Sequence, residues 1–313
     1  ISGRAQPYII VMTALDYGLQ IEPQYGYTYT HIRDAAQRAE QSGFESIWLS
    51  DHFLIRPDAA DVNCLEAWTT LAALARDTAK LRLGTLVSSQ SYRNPALAAK
   101  MAATLDHISG GRLYYGVGAG WKEAEYDAYD IPFPRPSTRI RQLDEALEIA
   151  ERMWTLPRAS YQGRHYSVKD CVSAPKPLQS PLPIVVGGTG DRLLRVSAKH
   201  AHMVNFSWNT PLDAYRERLG VLERHCARLG RDYHRIRKSA GLHLALDGVK
   251  GHAPAPYERY SGAKKWEPRA PREAAELIRG YAELGVTHFV MVFPYGSEAG
   301  SAEAFMRDVA PRV

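Results

Sequence analysis

Cysteine is scarce in this 313-residue chain: Cys64, Cys171 and Cys226 lie far apart, with no C-x-x-C spacing. That pattern excludes a disulfide scaffold and a cysteine-based zinc site, and it fits a reducing compartment. Long apolar runs are missing too. None approaches the ~20 residues a membrane span needs. The opening Ile1-Ser-Gly-Arg-Ala-Gln lacks the basic, then apolar, then small order of a secretory signal. The expectation is a soluble, cytoplasmic protein without a membrane partner. Nor is there a strong excess of one charge: the net value is +5, and basic residues alternate with acidic ones, as in Arg216-Glu217-Arg218. Solvated helix faces explain this better than a nucleic-acid surface does. A mildly positive rim still favours an anionic cofactor or substrate.

What is present is alternation. Runs of β-type residues ending in small or polar side chains fall at 17–21, 46–50, 81–87, 112–117, 182–186, 202–205, 239–246 and 287–292. Helix-length segments fall between them at 29–42, 64–78, 95–108, 138–154, 191–200, 212–229 and 272–284. The unit from 81 to 117 has the strand–helix–strand form of a parallel crossover, with Pro95 in the first helical turn. About eight such units predict a (β/α)8 barrel, a TIM barrel, built as one domain over 1–313. A doubly wound sheet has fewer parallel units and a dominant glycine-rich turn near its start. Residues 120–183 are irregular, with Ile131-Pro-Phe-Pro, a long helix and a hairpin near 160–168, and read as an insertion after the fourth strand. Residues 8–15 are apolar and read as an extra strand or an arm, and the polar, proline-rich 252–271 reads as a long loop.

In a barrel of this kind, chemistry collects at the C-terminal ends of the strands. The second strand ends in Asp51-His52-Phe53, and an imidazole beside a carboxylate is a general acid/base candidate; loop capping by Asp51 is the plain structural alternative. The third ends in Gly84-Thr85-Leu86-Val87-Ser88-Ser89, followed by Arg93-Asn94-Pro95, where Asn94 has the chemistry of a helix cap. The fourth runs Gly116-Val-Gly118-Ala-Gly120-Trp121 toward Glu125-Tyr126, a spacing that is not a dinucleotide fingerprint. The fifth passes through Gly187-Gly188-Thr189-Gly190 into a helix start. There, backbone N–H groups and the helix dipole suit a phosphate, while a tight turn needing glycine is the alternative. His200 and His202 lack a third ligand, so no metal site is expected. No G-x-S-x-G elbow supports a hydrolase. Cys64 as a nucleophile has no partner in the sequence.

These motifs, in this order from about Tyr17 to Pro294, resemble the luciferase-like monooxygenase superfamily, in particular its deazaflavin-dependent oxidoreductases. The resemblance implies a bacterial luciferase-like barrel that moves a hydride between coenzyme F420 and a small organic substrate, with FMN-dependent oxygenation as the alternative. A non-catalytic binding protein or a hydrolase on a barrel is the reading from another class. It also implies catalytic roles for His52 and Asp51, with Asp51 touching the cofactor. A non-prolyl cis peptide is implied at Leu86–Val87 behind the ring, with Ser89 and the Gly118 loop against the cofactor. The cofactor phosphate is implied at Gly187, Gly188 and Thr189. Certain members carry a catalytic glutamate directly after the last glycine of the fourth-strand loop; this chain has Trp121 there. Neither Glu123 nor Glu125 receives a role. A homodimer is expected.

Overall fold

In the computed structural model, residues 14–251 and 266–313 are described. Most of the apolar stretch at 8–15 and residues 252–265 of the proline-rich loop lie outside them. The barrel strands are β1 (Asp16–Ile21), β2 (Ser46–Leu49), β3 (Arg82–Thr85) and β4 (Leu113–Gly118). After the hairpin strands β5 (Arg158–Gln162) and β6 (Ser167–Val172), the barrel resumes with β7 (Ile184–Gly187), β8 (Met203–Trp208), β9 (Arg237–His243) and β10 (His288–Val292). Every barrel pairing is parallel, and the β1–β10 and β3–β4 pairings close the ring. The eight-stranded parallel barrel is therefore as the alternation of segments predicts.

Helices α1 (Tyr29–Ser42), α2 (Ala67–Asp77) and α3 (Pro95–Ser109) wrap the first half of the barrel. Between β4 and β7 come α4 (Glu123–Ala128), α5 (Pro136–Thr155) and the β5–β6 hairpin, which make up the expected insertion. The second half carries α6 (Asp191–His200), α7 (Leu212–Leu229), α8 (Pro271–Ala282) and α9 (Glu298–Ala304). One apolar core lies between barrel and helices, with Leu19, Ile47, Leu83 and Phe289 wholly buried in it. A smaller one fills the barrel with Trp48, Tyr114, Val185, Met203 and Val290. Trp48 stacks on Tyr114 at 5.2 Å between ring centroids. Glycine makes room for that indole, because a Cβ on Gly18 or Gly84 would lie 2.6 Å from it.

The second helix begins at Ala67 rather than 64, because the Glu66 carboxylate caps it, accepting from the N–H groups of Trp68 at 3.1 Å and Thr69 at 2.6 Å. The third strand stops at Thr85, and the Leu86–Val87 peptide that follows is cis. Asn94 caps α3, accepting from Ala96 N–H at 2.9 Å.

Candidate active site

The C-terminal ends of β1, β2, β3, β4, β7 and β8 enclose a cavity of about 660 Å³, within the usual range for small-molecule and cofactor sites. Asp51, His52, Leu86, Val87, Ser89, Gly118, Gly187 and Gly188 all line it. Eight of the nine expected site residues thus converge on one wall.

Thr189, the ninth, is not among the residues that line the cavity. Gly188 adopts φ +128°, and a Cβ there would lie 2.2 Å from Leu193. Asn205, Ser207 and Trp208 at the end of β8 complete that side instead. Gly118 and Gly187 have a further task. A Cβ on either would come within 2.9 Å of the Val87 side chain, so the two glycines seat Val87 in the wall.

His52 has a carboxylate partner, but it is not its neighbour Asp51. Its Nδ1 lies 2.9 Å from Oε2 of Glu125, which α4 delivers from 73 residues away. The Glu125 side chain is fully buried and accepts from the Tyr92 hydroxyl (2.5 Å), the Phe53 N–H (2.9 Å) and the Lys122 ammonium (3.1 Å). Burial by itself would raise this carboxyl's pKa. The bonds from His52 and Tyr92 and the Lys122 charge outweigh it and hold the value at about 2. A carboxylate at Nδ1 fixes the tautomer protonated there and leaves Nε2 as the nitrogen free for proton transfer. Burial, and then the bond to Glu125, push the Tyr92 phenol up, so it remains a donor.

Asp51 is held by a different hand. Its carboxylate is buried and receives both guanidinium nitrogens of Arg93, at 2.6 and 3.0 Å. Arg93 also bonds Glu66, the cap of α2. A planar fork of this kind fixes the carboxylate's orientation at the cavity wall. Next along the wall, the Ser89 hydroxyl bonds that of Tyr126, which lies 2.9 Å from Ser91 Oγ. Trp121 is 72% exposed at the mouth, its ring edge-on to His52 at 5.6 Å.

Other candidates separate from the cavity chemistry. Cys64 Sγ donates to the His52 carbonyl, and burial followed by the Glu125 charge pushes the thiol up to about 12, so it is no nucleophile. His200 is wedged between Asp144 (2.8 Å) and Glu151 (3.2 Å), and His202 Nδ1 accepts from the Ile184 N–H. Among the described residues, no cluster of three or more His, Cys, Asp or Glu side chains is placed to hold a metal ion. No helix among them is long and apolar enough to cross a membrane.

Three features escaped sequence reasoning: Glu125 with Tyr92, Asp51 as the partner of Arg93, and the β8 end. The Glu-Tyr pair after the glycine loop was visible, but nothing local tied it to His52.

The family described as luciferase-like monooxygenase matches residues 11–285. An F420-dependent glucose-6-phosphate dehydrogenase of Intrasporangium calvum is 30% identical over 89% of this chain and 93% of its own length. The pyrimidine monooxygenase RutA of Stutzerimonas stutzeri is 32% identical over 67% of this chain and 59% of its own. An F420-dependent secondary alcohol dehydrogenase, solved with an F420-acetone adduct, superposes with a TM-score of 0.83. It is 18% identical and covers 96% of this chain and 99% of its own, a likeness of fold.

Proposed function

Because this chain belongs to the luciferase-like monooxygenase family, we propose that it is an oxidoreductase that moves a hydride between coenzyme F420 and a small organic substrate. The relative from Intrasporangium calvum, alike over nearly its whole length, supports the cofactor. The His52–Glu125 pair on the cavity wall is the observation that carries the chemistry.

The residues present fit the group. The wall offers a flat apolar backing at Leu86 and Val87, seated by two glycines. After β7, the N-cap of α6 is Gly190, which has no capping side chain, so the first-turn N–H groups of the helix are open to an anion. When bound, the reduced deazaflavin supplies a hydride from ring carbon C5, while the protein supplies orientation and proton handling. Asp51, clamped by Arg93, presents a fixed acceptor edge to the ring. Ser89 adds a hydroxyl, and the Gly187–Gly188 turn receives the phosphate. Nε2 of His52, unprotonated in the neutral ring, takes the proton of a substrate hydroxyl when the substrate is oxidised, and as imidazolium returns it to the substrate oxygen in the reverse direction. Glu125 holds the imidazole in the tautomer that this transfer needs.

His52→Ala tests the assignment. Turnover falls by ~100-fold or more, the usual weight of a general acid/base, while coenzyme affinity stays within a few-fold of the parent. Activity within a few-fold of the parent would remove His52 from the chemistry.

A second reading, FMN-dependent oxygenation, is favoured by the resemblance to the pyrimidine monooxygenase. Reduced FMN captures oxygen and a deazaflavin does not, so oxygen uptake with reduced FMN separates the two.

A further inference from the structure

Outside the cavity, a second cleft of about 590 Å³ runs between α5 and α6. Its α6 wall carries Arg192 and Arg195, three residues apart on the exposed face of the helix, and its α5 wall carries Arg141. Two carboxylates of the cleft are already engaged. Asp144 meets Lys199 at 2.8 Å and His200 at 2.8 Å, and Asp191 meets His225 at 3.1 Å. Arg141 spends one nitrogen on the Thr138 hydroxyl. Among the described residues, neither Arg192 nor Arg195 has a hydrogen-bonding or ionic partner. Three guanidinium groups thus face one cleft with no carboxylate of their own.

The cleft's position gives the charge a purpose. Leu193 faces the active-site cavity, and Arg192, the residue before it, faces the cleft. Arg192 lies in the first turn of α6, four residues on from Gly188. An elongated anion with its phosphate at the Gly187–Gly188 turn would leave the cavity beside Arg192. Coenzyme F420 is such an anion: beyond the phosphate it carries a lactyl group and a run of glutamates, an acidic chain.

We propose that the arginine-lined cleft between α5 and α6 binds this oligoglutamate tail, with Arg192 and Arg195 as its principal contacts. The inference rests on the cofactor reading given above.

The test titrates the holding of coenzyme by its fluorescence, comparing F420 with several glutamates against the form that keeps phosphate and lactyl group but has no glutamate. Paired exposed charges are worth little singly and are screened by salt. The parent protein is therefore expected to bind the tailed form about five- to tenfold more tightly at low ionic strength, with the difference closing near 1 M salt. In R192Q/R195Q the difference disappears, while affinity for the tail-free form and the melting temperature stay at parent values. R192K/R195K retains most of the preference, which guards against a folding defect in the glutamine variant. Equal affinity for both forms in the parent, or a tail preference that persists in R192Q/R195Q, overturns the proposal and leaves the cofactor reading standing. Failure of the parent to bind either form overturns the cofactor reading, and this inference with it.

Discussion

Glu125 carries more of the site's order than any other side chain: it joins His52, Tyr92, Lys122 and the backbone after β2 at one buried carboxylate. Glu125→Gln keeps its size and removes its charge. The expected result is a fall in kcat of roughly 10- to 100-fold with coenzyme affinity unchanged, as the imidazole loses the group that sets its tautomer. Equal losses in kcat and coenzyme affinity, together with a lowered melting temperature, would show that Glu125 only holds the loop together. His52 was legible in the sequence because it directly follows a recognisable strand. Glu125 was not, because α4 is six residues long and meets His52 from 73 residues away. The same holds for Asp51. Its partner Arg93 sits 42 residues on, and sequence adjacency pointed to His52 instead.

At the scale of elements, helices whose ends are marked in the sequence fall where expected. α1 starts after Thr28 and stops at Gly43, which adopts φ +95°; α6 and α7 likewise match their expected bounds. Strand ends were read too long where the chain leaves the ladder to build the site, as at Leu86–Val87. Two substitutions probe these joints. Asn94→Ala removes the cap of α3 and lowers stability by about 1 kcal/mol in chemical denaturation, and an unchanged midpoint would show that the cap is idle. At the β7–α6 turn, Gly188→Ala forces a side chain into a positive-φ position against Leu193. It should lower the melting temperature and weaken coenzyme binding together, because turn and phosphate site are one structure. Loss of binding with full stability would mean that the turn tolerates a Cβ and that the clash is with the ligand alone.

Across the whole molecule, eight parallel units announced a closed barrel, and the resemblance in motif order announced its family; the substrate stays illegible because its pocket is shaped by loops without periodicity. The fold also carries an acid liability spread over three places. Glu45 at the foot of the barrel, Glu125 at the active site and Asp144 between α5 and α6 are each held at about 2; burial opposes this, and hydrogen-bonded or cationic partners outweigh it. Carboxylates so lowered add stability that is fully present above their unfolded values near ~4 and is lost as pH falls toward 2. The melting temperature should hold from pH 7 to 5 and then drop steeply toward pH 3, less steeply in E45Q/D144N; a flat profile to pH 3 would contradict these environments. The central claim concerns the cofactor, and side-by-side binding titrations of coenzyme F420 and FMN test it most directly. The account predicts clearly tighter binding of F420, with hydride transfer and no oxygen uptake; micromolar binding of FMN with no measurable binding of F420 would contradict it.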